Sequence, residues 1–256
     1  VNKHGGVILH ELEGGIPSEG DTVSCKVDSV RRANITKNHT STHILNSSAR
    51  QVLGSWIWQH SAFKEDDHAR LDITHHSSLT DSEVADIEKA ANQIIAKDMQ
   101  VTIENYDRGT AEQKYGFKIY QGGVVPVKSV RIVSIEDFDV EACGGTHVKQ
   151  TKDIELIKIT RTKRIQDGVV RLEFVSGPTA QEYVKQQEII QTQNKEESAQ
   201  KEIKDKAREE NKDKAREENK DKAREKIPVF IEKVLSGESL ESEGINNKGK
   251  LFFTAD

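Results

Sequence analysis

Asn38-His39-Thr40-Ser41-Thr42-His43-Ile44-Leu45 opens a run that continues through Arg50-Gln51-Val52-Leu53 to Gly54. The run reads as a helix, because asparagine is a favoured N-cap and glycine a favoured residue just past a helix end. His39 and His43 then stand four apart and leave the same face. Downstream, Ala142-Cys143-Gly144-Gly145-Thr146-His147 follows a strand-like run. Its two glycines let the backbone turn tightly enough for Cys143 and His147 to reach one ion. A His-x-x-x-His pair alone is a weak signal. Joined by a thiol and a third imidazole, it becomes a four-donor set of the softness that suits zinc. The competing reading is a buried thiol beside two surface histidines.

Working outward, Thr80 and Glu83 form the pattern of a capping box, and Val84, Ile87, Ala90, Ala91, Ile94 and Ile95 follow at helical spacing. Residues 101–104, 130–135, 155–160 and 169–175 read as strands. Near the start, Gly5-Gly6-Val7-Ile8-Leu9-His10-Glu11-Leu12, a turn with glycine and proline, and Thr22-Val23-Ser24-Cys25-Lys26-Val27 predict a small β element cut from a larger barrel. Helices gathered early and strands gathered late predict an α+β fold, an antiparallel sheet packed with helices.

The charge is concentrated in one segment. Residues 195–226 carry 12 basic and 11 acidic side chains, so the low hydrophobicity of the 256-residue chain belongs mainly there. An octapeptide, Lys-Asp-Lys-Ala-Arg-Glu-Glu-Asn, begins at Lys204 and Lys212 and incompletely at Lys220. Asp205 and Arg208, Glu209 and Lys212, Asp213 and Arg216, and Glu217 and Lys220 are spaced for ion pairs on a helix. An eight-residue period drifts by about 80° per repeat at 3.6 residues per turn, so no apolar seam forms. A solvated spacer helix is expected, starting near Thr179 and broken at Pro228. No apolar run approaches the ~18 residues of a membrane span. Two cysteines, Cys25 and Cys143, make no disulfide framework and fit a reducing compartment. A net charge of -5 argues against a wholesale polyanion binder. The chain opens on Val1 rather than methionine, which predicts a piece of something longer.

The motifs also carry a resemblance. Residues 38–45 with Arg50-Gln51-Val52-Leu53-Gly54, then Arg70-Leu71-Asp72, then residues 142–147, resemble in order the editing motifs of alanyl-tRNA synthetases. Tyr120-Gln121-Gly122-Gly123 and the stretch from Arg164-Ile165-Gln166-Asp167-Gly168 through Arg171-Leu172-Glu173-Phe174 are archaeal in style. The resemblance covers about residues 5–180, and freestanding AlaX proteins and a threonyl-tRNA synthetase domain share the fold. It implies four zinc ligands, His39, His43, Cys143 and His147. It also implies hydrolysis of the ester that attaches serine or glycine wrongly to alanine tRNA, within a cytoplasmic enzyme that ligates alanine using ATP. Such editing has a physical motive, since one methyl or an added hydroxyl gives a synthetase pocket only modest discrimination.

By the same resemblance, Thr40 reads the serine hydroxyl and Gln59 lines the site. The residue-level alternative for Thr40 is a threonine bonding a carbonyl one turn back. Serine stands at position 61 where the family has glycine. Arg70 and Asp72 are expected to pair or orient the site, and His75 and His76 to be exposed loop residues. Lys158, Arg161, Lys163 and Arg164 either contact RNA phosphates or form a solvated strand face. The expected organisation is a partial β-barrel element over residues 1–30 and the editing domain over 31–178. A charged spacer follows over 179–226, then the start of a truncated domain over 227–256 through which the intact protein oligomerises. A freestanding trans-editing deacylase and a non-catalytic tRNA-binding module with a structural zinc are the alternatives.

Overall fold

A computed structural model describes residues 2–4, 7–123 and 127–236. The chain divides into two units, Val1–Gln187 and Glu188–Asp256. In the first, β1 (Asn2–His4) and β2 (Val7–Leu9) form a two-stranded ribbon. Next come α1 (Ser29–Leu53), the β3 (Gln59–Lys64) and β4 (Ala69–Thr74) hairpin, and α2 (Asp81–Ala96). They are followed by β5 (Val101–Asp107), α3 (Arg108–Tyr115), β6 (Ser129–Ile135) and β7 (Asp139–Ala142). β8 (Ile157–Gln166) and β9 (Val169–Ser176) complete the strands, and α4 (Pro178–Leu235) begins behind them. One sheet runs β3-β4-β9-β8 and another β5-β6-β7, every pairing antiparallel. The fold is α+β with antiparallel sheets against helices, as the sequence predicts.

Strand alternation decides which side chains meet the helices. Leu71 pairs with Leu172 and Ile73 with Val170 across β4 and β9. These residues and Phe174 form one core with Ile44, Leu45 and Ala49 of α1 and Ile87, Ala91, Ile94 and Ile95 of α2. A smaller cluster joins Ala111, Ile119 and Tyr120 to Val130 and Ile132 of β6. β6 therefore serves both cores, since Val133 and Ile135 belong to the first.

Several expectations need correction. Asn38 is not an N-cap. α1 starts nine residues earlier at Ser29, where the Asp28 side chain accepts the Arg31 N–H at 3.0 Å. Asn38 is instead buried in mid-helix, donating to the Glu65 carbonyl at 2.7 Å and accepting from the Ser176 hydroxyl at 2.7 Å. Gly54 does close the helix, with φ 128°. The capping box of Thr80 and Glu83 forms as read. Residues 22–27 are not a strand, because no ladder partner exists for them among the described residues and a lone exposed strand has nothing to bond. Gly5 and Gly6 of the first predicted strand lie outside the described residues. His75 is no exposed loop residue. It is 5% exposed, with its N–H on the Gly168 carbonyl, whereas His76 is exposed.

α4 runs on through Pro228 to Leu235. A proline removes one N–H and crowds one carbonyl, but the remaining ladder bonds carry the helix past it. Along the repeats, the ion pair formed among the described side chains is Arg224–Asp221 at 3.7 Å, and the four pairs expected earlier stay solvated. From residue 237 onward the expected last domain lies outside the described residues.

Asp72 and Arg70 do pair, at 3.3 Å, but the stronger partner is Arg171 on β9. Its Nε and Nη2 reach the Asp72 carboxylate at 2.7 and 3.0 Å, and the Ser61 hydroxyl donates at 2.7 Å. One buried carboxylate thus ties three strands. Burial pushes its pKa up, but Arg171 and Ser61 outweigh that and hold it below the usual carboxylate range. A group depressed in the folded state adds stability above its unfolded pKa of about 3.9 and loses it as pH falls through the folded value. Asp72→Asn should therefore cost about 1–3 kcal/mol at neutral pH and flatten the acid limb below pH ~4. Parallel denaturation curves for the two proteins from neutral pH into acid would contradict this.

Candidate metal centre

α1 brings two imidazoles to one place by simple periodicity. His39 and His43 are one turn apart, and Asn46 and Ser47 continue the same face. β7 approaches that face with its own period of two, so Asp139 and Glu141 turn toward α1 while Val140 and Ala142 pack against the second core. The loop after β7 then returns Cys143 and His147 beside the helix. Cys143 Sγ lies 3.3 Å from His39 Nε2 and 3.4 Å from His147 Nε2. One donor atom from each of His39, His43, Cys143 and His147 lies within 4.8 Å of the others. These four residues form a group that could hold a metal ion.

Gly145 makes the approach possible. A Cβ there would sit 1.9 Å from His39 Cε1, so only a residue without one fits beside the ring. At Gly144 a Cβ would meet nothing within 4 Å. The loop is pinned to α1 by Thr36 and Thr146, whose hydroxyls are 2.9 Å apart, and by Thr40. Thr40 is fully buried, and its Oγ1 is 3.2 Å from the Thr36 carbonyl, from His147 Nδ1 and from the Val148 N–H. The carbonyl one turn back is thus one of its partners.

Behind His43 stands a polar shell that sequence reading did not find. His43 Nδ1 is 3.3 Å from Asp139 Oδ2 and 3.3 Å from Glu141 Oε2, without the alignment of a hydrogen bond to either. With Nδ1 facing the carboxylates, Nε2 is left to face the other donors. The Ser47 hydroxyl bonds Asp139, and Asn46 donates to Glu141 at 3.0 Å and to Gln121 at 3.1 Å. Gln121 also takes the Gln59 N–H at 3.0 Å, and Gly122 donates to the Gln59 carbonyl at 3.2 Å. Gln59 is therefore half-buried at the head of β3, joined to His43 through Gln121, Asn46 and Glu141. Acidic residues alternating with Val140 and Ala142, directly before a Cys-Gly-Gly turn, were the available signal.

The electrostatics follow from packing charges in a partly dry place. Burial pushes the Cys143 thiol up, but His147, His39 and His43 outweigh it and bring it down to about 2. The surroundings therefore favour loss of the thiol proton. Burial lowers His39 and brings His147 to about 4, each partly offset by Cys143. Burial also lowers His43, yet Glu141, Asp139 and Cys143 raise it well above the usual range. Burial takes Glu141 to about 7, against the pull of His43. Lys64, also missed in the sequence, lies on the helix-facing side of β3 beside this group. Burial lowers its pKa, and the charges of Cys143 and Glu141 partly restore it. The strand-face cations are more ordinary: Lys158 pairs with Glu88 at 2.7 Å, Arg164 with Asp167, and Arg161 and Lys163 are exposed.

Residues 130–173, from β6 through most of β9 and including Cys143 and His147, match the family described as the threonyl and alanyl tRNA synthetase second additional domain. β6 to β9 and the loop that carries two of the donors thus fall in a stretch similar to a tRNA synthetase additional domain. The chain is 71% identical over 255 residues to the alanine–tRNA ligase of Nitrosopumilus maritimus, covering 100% of this chain and 28% of that protein. It is 69% identical over 183 residues to that of Cenarchaeum symbiosum, covering 72% and 20%. Against the Methanopyrus kandleri ligase it is 48% identical over 184 residues, covering 72% and 20%. The chain is a segment of alanyl-tRNA synthetase sequence, spanning about a quarter of the length of the first of these relatives. Among the described residues, no helix is long and apolar enough to cross a membrane.

Proposed function

We propose that this segment is a zinc-dependent deacylase that hydrolyses alanine tRNA wrongly charged with serine or glycine. The observation that carries the proposal is the convergence of one cysteine sulfur and three imidazoles at one point. Zinc–sulfur and zinc–nitrogen bonds of about 2.3 and 2.05 Å in a tetrahedron put S and N about 3.6 Å apart. The distances of 3.3 and 3.4 Å at Cys143 fit that set. His39, His43, Cys143 and His147 would hold the ion, which when bound supplies a Lewis acid for an ester carbonyl or a water.

The rest is the work of the chain. Asp139 and Glu141 stand 3.3 Å from His43 Nδ1 and favour a proton there, and Gly145 gives His39 its room. Lys64 sets a positive charge at the edge of the site, suited to a substrate whose backbone phosphates lie near its ester. Gln59 lines the same side and is held in place by Gln121. Attachment of alanine to its tRNA with ATP, a cytoplasmic location and oligomerisation through a further domain are proposed for the intact protein.

Four protein ligands are also the coordination of a closed, structural ion, which favours a second reading as a tRNA-binding module. Deacylation of purified seryl-, glycyl- and alanyl-tRNA, run with metal analysis, separates the two. Turnover of the seryl or glycyl ester well above the alanyl ester is expected. Binding of all three without turnover would replace the enzyme by the module.

A further inference from the structure

Thr40 lies between two of the ion's donors, yet its hydroxyl is fully buried and already engaged three times. A threonine hydroxyl owns one hydrogen and two lone pairs. The Val148 N–H can only donate, so it fills one lone pair. The Thr36 carbonyl can only accept, so it takes the hydrogen. His147 Nδ1 is then left with the second lone pair, which it can meet only as N–H. If Nδ1 were bare, it and the Thr36 carbonyl would compete for a single hydrogen, so only the Nδ1–H form makes all three contacts at once.

We infer that Thr40 is a positioning residue that fixes His147 as the Nδ1–H tautomer, so that the Nε2 lone pair faces Cys143 and the ion. Nε2 is the nitrogen 3.4 Å from Cys143 Sγ, where the ligand atom is needed. Orienting partners of this kind typically change metal affinity by about 10–100-fold. On this account the hydroxyl has no hydrogen-bonding capacity left for a seryl side chain. The same hydroxyl, through Val148, holds the stretch after His147 against α1, so ring orientation and loop placement are set together.

The test is a pair of variants. Long-range proton–nitrogen NMR of the ion-free protein should show His147 as Nδ1–H in wild type and Thr40→Ser. Thr40→Val should lose that preference. Competition with a chromophoric chelator for cobalt or zinc should show affinity lower by about 10–100-fold in Thr40→Val and restored in Thr40→Ser. The metal arm rests on the reading of the four donors as an ion site, whereas the tautomer arm does not. Absence of metal binding by wild type would therefore remove the proposed chemistry and leave the tautomer result to decide. An Nε2–H tautomer in wild type overturns the assignment, and needs no variant to fold. Equally, Thr40→Val with unchanged tautomer and metal affinity, but slower hydrolysis of seryl-tRNA alone, would make Thr40 a substrate contact.

Discussion

Cys143→Ala is expected to take the protein from about one zinc ion per chain to almost none, and to lower its unfolding temperature sharply. Cysteine is the one residue of the four that binds a metal as an anion, and its surroundings lower its pKa. Removing it leaves three neutral or competing nitrogens around a divalent ion. Binding energy at such a site is also folding energy, with apparent values of about 10–16 kcal/mol for structural zinc in small peptides. No other single substitution here removes as much. Metal analysis and thermal denaturation, with and without chelator, measure the effect. Chelator should bring wild type toward the variant while changing the variant little. Full metal occupancy in Cys143→Ala would remove Cys143 from the donor set.

Gly145→Ala is expected to weaken metal binding by about 10–100-fold, a loss of the size seen when a ligand ring loses its orientation. The added Cβ would fall 1.9 Å from His39 Cε1 and 2.2 Å from Nδ1. That ring is not a flexible tip; it is packed against His147 at a 4.4 Å centroid distance and sits on a rigid helix. Either the ring swings away from the donor cluster or the loop lifts off α1, with overpacking adding about 1–3 kcal/mol of instability. Gly144→Ala is the control, since its Cβ meets open space and should cost under ~0.5 kcal/mol. Chelator competition on both variants decides. Equal affinities would mean that the ring does not depend on the glycine.

What could be read in the sequence was whatever is local. The capping box at Thr80 is four residues of chemistry, and the buried strands 130–135 and 169–175 are apolar runs that no surface tolerates. Four donors stood out because their types are rare and their spacings short. The start of α1 was not legible, because residues 29–37 bury no side chain and show no apolar stripe, and the buried run behind them is mostly polar. The β3–β4 hairpin was missed for a related reason: Gln59-His60-Ser61-Ala62-Phe63-Lys64 has one face against α1 but little apolar alternation to announce it. Asp139, Glu141, Lys64 and Arg171 owe their roles to partners tens of residues away, which spacing alone does not display. His75 reads as a loop residue until Gly168 is seen to cover it.

The two halves of the donor set are far apart along the chain. His39 and Cys143 are 104 positions from each other, with β3, β4, α2, β5, α3, β6 and β7 threaded between them. A bond through a shared ion at the proposed site would therefore work as a clasp on a very large ring. In chain-entropy terms, closing a ring of about a hundred residues removes roughly 4–5 kcal/mol worth of freedom from the unfolded chain. Before the ring closes, each end of the clasp offers only two donors, too few to compete for the ion. If the four donors hold an ion as proposed, capture would wait until the β6–β7 hairpin has docked on α1, and only chains whose distant parts have met in the right register would take it up. Metal affinity would then be a measure of topology.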